Sequence, residues 1–583
     1  MSFSYYDSNS YGHSRTEINS TFSVNGSLAS EAATLKVSSP NTSDCPSCQR
    51  KHSTGPPTIP LHDKTISNGR SIVLCFDGTG DQSNSNVVQF LSMLKKDDPE
   101  RQLVYYQAGI GTYNNAHFVT HFATEMSQTL DTAIAWNLGS HILDGYKFVM
   151  QNYREGDRLC IFGFSRGAYT ARCLVGMIDK VGVLPSWNTE QLPFAYSMYN
   201  DTSLKGLERS RDFRHTFSTK VDIHFVGVWD TVESVGIIPR EKPFATSDNV
   251  VRHFRHALAL DEHRAKFKAN TWNYLTEREK MILHYLDERD AKNGIAVVAE
   301  RPASDVKEVW FAGCHCDVGG GSVSNDTRYN MARIPLRWMI RECFKANTGI
   351  IFYERPILNL GMDSLLVMGS PENIKAPKML SGLGQTYLAD DSPKDKVPEK
   401  LPNGLQEAQA MLRKRLQSMA PAKADSEDGQ SLMDALSPEY DQLKLKWWWR
   451  IFELIPLTQR YQNVWTDEWE YVREWNRKSG RLITGFKSLE TPGPDDERLI
   501  YVHSSVKTRL EATPKDGDAA YMPRAQVEDY QTEWRKEDGT VYEEPKLTEL
   551  EQSRGWFTWL WVTLGFRRNI RTPPPKVRVV YVD

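Results

Sequence analysis

Asp157 to Arg172 read Asp-Arg-Leu-Cys-Ile-Phe-Gly-Phe-Ser-Arg-Gly-Ala-Tyr-Thr-Ala-Arg, and this stretch leaves the backbone little choice. Leu159 to Phe162 is an apolar run of the length of a buried strand. From Ala168 onward the spacing of Ala168, Ala171, Leu174 and Val175 is that of a helix face. Between them stands Gly163-Phe164-Ser165-Arg166-Gly167, a G-x-S-x-G pentapeptide. Strand, G-x-S-x-G and helix together form the context of a nucleophile elbow, in which flanking glycines permit a sharp turn and the serine hydroxyl stands at the carboxyl edge of a sheet. The N–H of Arg166 then opens the helix and can face a developing oxyanion. The competing reading is a serine-containing turn without chemistry.

The chain around this junction alternates strands with helices. Ser71 to Phe76 reads as a buried strand that stops at Asp77-Gly78-Thr79-Gly80-Asp81, ahead of a helical pattern from Val87 to Leu94. The loop with its glycines offers free N–H groups, so Gly78 and Thr79 are candidates for the second oxyanion donor; alternatively it is a solvated turn in which Asp77 caps its own backbone. Leu103 to Gln107 is a second strand, residues 125–153 form a long helix, and Val221 to Trp229 is a strand ending at Asp230. Ala257 to Lys268 reads as helix, and Glu308 to Phe311 is a strand running into Ala312-Gly-Cys-His315-Cys-Asp317. Alternation of this kind predicts an α/β fold, a mostly parallel sheet flanked by helices, with functional groups at the carboxyl ends of its strands.

Three strand ends thus deliver Ser165, Asp230 and His315, in the chain order of α/β-hydrolases. A serine hydroxyl is a poor nucleophile until an imidazole takes its proton, and the imidazole needs a carboxylate on its other nitrogen to fix its tautomer. Asp317 is an alternative acid, and His224, His253, His256 and His263 are competing bases with structural readings of their own. Asp77, Asp81, Asp230 and Asp317 could instead converge on a divalent cation and make phosphoester chemistry.

Several of these blocks resemble one family. They are Ser71 to Asp81, Tyr106 to Thr112, Gly156 to Arg172, Val226 to Val232, Ala257 to Phe267 and Trp310 to Gly321, in that order over residues 70–345. They look like the signatures of the α/β-hydrolase family that contains the type VI secretion phospholipase effectors and many fungal members. The resemblance implies an esterase or phospholipase A activity, with Ser165 as nucleophile, Asp230 as acid and His315 as base; no cofactor is expected. The chain departs from the family at Asp81, where Asn is usual.

The rest of the chain sets limits. A net charge of −3 over 583 residues lacks the basic excess of a nucleic-acid binder. No run reaches the roughly 18 apolar residues of a membrane span, and Met1 to Ser23 lacks a signal-peptide core, so a cytoplasmic protein is expected. Eight cysteines in so long a chain do not make a disulfide framework; Cys45-Pro-Ser-Cys48 with His52 is half a zinc site, and Cys314 and Cys316 read as reduced spectators. Residues 1–68 are rich in Ser, Thr, Asn and Pro and read as a disordered tail, followed by a catalytic domain at 69–350, a linker or insertion at 351–445 and a Trp-rich C-terminal region at 446–583. Within the linker, 361–440 reads as mobile apart from a helix at 406–418. Trp447-Trp-Trp449, Glu468 to Trp475 and a β-like stretch from Arg498 to Val506 follow. Trp556, Trp559 and Trp561, next to Arg567 and Arg568, suit either a bilayer surface or packing against the core. A catalytically silent interaction protein of the same fold is the alternative to the enzyme.

Overall fold

A computed structural model describes residues 58–59, 69–78, 84–109, 127–232, 251–295, 303–324, 327–362, 427–454, 456–462, 467–476, 479–483, 486–487, 498–512, 521–527 and 577–582. The chain divides into two compact units, Met1–Gly55 and Pro56–Asp583, and every described residue lies in the second.

The apolar runs become strands. In chain order they are β1 (Thr58–Ile59), β2 (Ser71–Phe76), β3 (Gln102–Gln107), β4 (Arg158–Phe164), β5 (Ile223–Trp229), β6 (Val251–Ala259), β7 (Asp305–Phe311) and β8 (Phe352–Tyr353). The C-terminal part adds β9 (Leu457–Gln462), β10 (Trp469–Glu474), β11 (Leu482–Ile483), β12 (Phe486–Lys487), β13 (Arg498–His503), β14 (Gln526–Val527) and β15 (Val577–Val582). A nine-stranded sheet runs β12-β13-β7-β6-β5-β4-β2-β3, with β15 also on β13. Every pairing in it is parallel except β12 with β13. Parallel strands need covering on both faces. Helices α1 (Asn86–Met93), α2 (Ser127–Asn152) and α3 (Arg166–Val181), with Arg333–Lys345 further on, do this over two apolar layers.

The order of the sheet places the site. The chain goes from β2 out to β3, then returns to lay β4 on the other side of β2. The carboxyl ends of β2 and β4 therefore flank a topological switch point, where open α/β sheets form their crevice. Asp77 and Gly78 follow β2, and Ser165 follows β4.

Four expectations need correction. Ala257 to Lys268 is not a helix. Ala257 to Ala259 end β6, and the following residues are irregular. Strand β6 was hidden because its charged residues are paired: Arg255 Nε donates to Glu342 at 2.6 Å, His256 Nδ1 contacts Glu308 at 2.7 Å and His253 contacts Asp305 at 2.9 Å. Thr58 and Ile59, inside the expected disordered tail, pair antiparallel with β8, and Ile59 is buried; the rest of that tail, with Cys45, Cys48 and His52, lies outside the described residues. The expected mobile stretch at 361–440 contains a helix, Glu427–Ala435, fixed by buried Asp434, which accepts from Arg337 at 2.7 Å. The helix expected at 406–418 and Trp556, Trp559 and Trp561 are likewise outside the described residues. Arg498 to His503 is a strand as expected, but Ser504–Glu511 turns helical behind the His503 cap. No helix among the described residues is long and apolar enough to cross a membrane.

Candidate active site

The turn after β4 is as sharp as its glycines allow. Ser165 sits at φ 57° and ψ −124°, a conformation L-residues rarely adopt, and caps α3. A Cβ on Gly163 would meet the Gly167 carbonyl at 2.6 Å, and one on Gly167 would lie 2.3 Å from the Phe76 carbonyl. Both positions exclude any side chain, so helix α3 can pass directly over β2 and β4. The Ser165 N–H donates to the Trp229 carbonyl at 3.0 Å, which ties the elbow to the end of β5.

Asp230, the next residue after β5, is also at positive φ, 41°. Its N–H donates to the Ala257 carbonyl at 2.7 Å. The neighbouring Thr231 N–H donates to His256 Nε2 at 3.1 Å, which leaves the His256 Nδ1 proton for Glu308. His315 opens a short helix, His315–Gly319, whose N-terminus is closed by Asp317: its carboxylate accepts from the Cys314 and Tyr440 N–H groups at 2.9 and 3.0 Å. Asp261 holds the same loop from the other side, accepting from the Gly313 N–H at 2.7 Å and the Tyr521 hydroxyl at 2.7 Å.

These supports bring the expected residues together. His315 Nε2 lies 2.8 Å from Ser165 Oγ, and His315 Nδ1 lies 2.5 Å from Asp230 Oδ2. With Nδ1 donating to the carboxylate, Nε2 is left as acceptor for the serine hydroxyl. All three side chains are buried. The imidazole lies between two rings, Phe164 at 4.7 Å and Phe267, edge-on, at 4.9 Å. Burial pulls the His315 pKa below its usual value, against the opposing bond to Asp230. Burial raises the Asp230 carboxyl, but the Arg481 guanidinium and His315 outweigh it and hold the group ionised far below the ordinary range.

Arg481 escaped the sequence reading. It donates Nη1 to Asp230 Oδ1 at 2.5 Å and Nη2 to Oδ2 at 2.8 Å, and it is 1% exposed. Glu262 and Arg264 were missed as well. Arg264 forks onto Glu262 at 3.0 and 2.7 Å and lies 3.5 Å over the Phe267 ring, while Glu262 accepts the His315 N–H at 3.3 Å. Burial works against the Glu262 anion, yet Arg264 holds its carboxyl at about 2. The signal for the last two was an Asp-Glu-His-Arg run packed into one of the family-like blocks. A lone arginine more than two hundred residues downstream carried no comparable signal.

The other candidates have different employment. Asp317 caps a helix and does not touch the imidazole. His224 contacts the Ala346 carbonyl at 2.9 Å and His263 contacts Asp441 at 3.0 Å, so none of the competing histidines reaches Ser165. Among the described residues no three His, Cys, Asp or Glu side chains gather as a metal site would require; Asp81 lies outside them. Gly78 borders the site, since a Cβ on it would be 3.3 Å from the Ser165 Cβ. Its N–H is donated to Asp77 Oδ1 at 2.7 Å, the self-capping turn of the alternative reading. Thr79 is outside the described residues.

Comparison with known proteins bears on this arrangement. Residues 70–342 match the family model described as T6SS, Phospholipase effector Tle1-like, catalytic domain. Those residues are thus similar to a Tle1-like catalytic domain. The match runs from β2 into the helix Arg333–Lys345 and contains Ser165, Asp230 and His315; Arg481 lies beyond it. An uncharacterized protein of Saccharomyces cerevisiae, YEL023C, is 26% identical over 541 residues, covering 73% of this chain and 78% of its own. Among solved structures, an uncharacterized protein from Pseudomonas aeruginosa is similar at 15% identity over 66% of each chain, with a TM-score of 0.33. The Tle1 effector bound to the VgrG spike of the type 6 secretion system is similar at 17% identity, over 46% of this chain and 57% of that one, with a TM-score of 0.22.

Proposed function

We propose that the protein is a serine hydrolase that cleaves carboxylic ester bonds of lipids, phospholipids foremost. The observation that carries this reading is the continuous hydrogen-bonded path Ser165–His315–Asp230 at a positive-φ turn. In the reaction, Ser165 Oγ attacks the ester carbonyl carbon as His315 Nε2 removes its proton. Asp230 holds the imidazole in the required tautomer and stabilises the cation that forms. The carbonyl oxygen becomes an oxyanion beside the first N–H of α3, that of Arg166, which has no partner within its own helix. The loop after β2 supplies the second donor, from Thr79 or from Gly78 once its N–H leaves Asp77. Collapse of the intermediate expels the alcohol, protonated by His315, and leaves an acyl-serine that water cleaves by the same steps. The phospholipase description of the matching family supports a lipid ester as substrate.

A fluorophosphonate probe tests the assignment. Labelling of the wild-type protein that disappears in Ser165→Ala is the expected result. An unlabelled wild type would favour a catalytically silent binding protein.

A further inference from the structure

Arg481 is built into its place with unusual completeness. Its two terminal nitrogens grip both oxygens of Asp230; Nη1 also donates to the Ala259 carbonyl at 3.1 Å, and Nε and Nη2 share the Phe267 carbonyl at 2.9 and 2.6 Å. Each nitrogen of the guanidinium is thus satisfied inside the protein. Asp230 is equally saturated: Oδ1 takes Arg481 and the Ala259 N–H at 2.8 Å, and Oδ2 takes Arg481 and His315. A planar fork on a carboxylate fixes the plane as well as the position of that carboxylate, which a lysine cannot do.

We propose that Arg481 is a positioning residue for the Ser165–His315–Asp230 site, and that through it the C-terminal part of the chain sets both the orientation and the basicity of His315. This rests on the serine-hydrolase reading above. Two consequences follow from the charges. With Arg481 in place, Asp230 is already paired, so its pull on a proton at His315 is reduced and the imidazole stays in its base form to lower pH. Without Arg481, the buried Asp230 anion has His315 as its remaining cationic partner, and the imidazolium is favoured. The neighbouring Glu262 and Arg264 offset one another and leave that balance to Arg481. Facing the imidazole from the other elements are Phe164, Phe267 and the Ser165 hydroxyl, none of which titrates in this range; Asp317, on the helix that His315 opens, does titrate there, but its carboxylate is turned to the Cys314 and Tyr440 N–H groups and is common to wild type and variants.

The experiment compares wild type, Arg481→Met and Arg481→Lys on a soluble short-chain ester, with pH profiles of kcat/KM and circular dichroism of each. The wild type is first shown to be labelled by fluorophosphonate at Ser165; an unlabelled wild type defeats the serine-hydrolase reading itself and this proposal with it. With labelling established, Arg481→Met is expected to lower kcat by roughly ten- to a hundred-fold with KM within about two-fold, and to move the acid limb up by roughly one pH unit. Arg481→Lys, which keeps the charge and loses the fork, should lower kcat while leaving the limb near the wild-type position. A limb that does not move in Arg481→Met, or a loss of rate that only tracks the folded fraction, overturns the proposal. Should Arg481→Met fail to fold, Arg481→Lys decides: a kcat at least about ten-fold down in folded protein supports it, and wild-type kcat refutes it.

Discussion

The backbone at Ser165 makes a prediction that separates strain from chemistry. A non-glycine residue in a sparsely populated region costs on the order of 1–3 kcal/mol, and Ser165 at φ 57° and ψ −124° is such a residue. Ser165→Ala and Ser165→Gly both remove the hydroxyl and its bond to His315, so the difference between them isolates the Cβ. Glycine relieves the strain but costs roughly 0.5–1 kcal/mol in the entropy of the unfolded chain. The balance leaves Ser165→Gly more stable than Ser165→Ala by about 1 kcal/mol. An ordinary helix N-cap also favours glycine over alanine, and the positive φ of Ser165 adds to that preference. Parallel urea or thermal melts of the two variants measure the difference, and both should be inactive on esters. A glycine variant less stable than the alanine variant by a comparable amount would refute the claim that the elbow stores strain.

Other consequences are equally concrete. His315→Ala should reduce ester hydrolysis by several orders of magnitude. Asp230→Asn should reduce it by about 10³–10⁴-fold, because an amide holds the ring in the wrong tautomer; a mild Asp230→Asn beside a severe Asp317→Asn would mean that the acid is Asp317. Burial raises the Asp317 carboxyl to about 7. A raised folded pKa gives stability that is present below the unfolded value near 4 and is lost as pH rises through 7. Melting temperature should therefore fall between pH 5 and pH 8 in the wild type and stay flat in Asp317→Asn, which resembles the protonated form; a flat wild-type profile would contradict this. Arg337→Met removes the 2.7 Å partner of buried Asp434 and leaves it the longer Arg333 contact at 3.4 Å; it should destabilise by about 3 kcal/mol, read by denaturant titration.

How much of this was written in the sequence depends on what each residue does. Strands β2, β4, β5 and β7 were legible because a strand covered on both faces shows as an apolar run. The serine and aspartate were legible because each follows such a run directly, and the histidine because it comes four residues after one. Strand β6 was not, since Arg252 to His256 look like a solvated segment until Asp305, Glu308 and Glu342 are seen to pair with them. The same difficulty hid Arg481. Its role arises from a contact 251 positions away along the chain, and local pattern carries no information about such partners. Trp449 belongs to the same class. It reads as one of three tryptophans in an aromatic stretch, yet its ring packs edge-on at 5.3 Å against Phe267, which in turn borders His315.

The central claim is that Ser165 performs nucleophilic attack on a lipid ester. The most direct measurement incubates purified wild type and Ser165→Ala with phosphatidylcholine vesicles in the presence of EDTA and identifies the products by mass spectrometry. Free fatty acid and lysophospholipid from the wild type, absent with Ser165→Ala, is the predicted result. Release of a phosphorylated headgroup, or hydrolysis that survives Ser165→Ala, would contradict it.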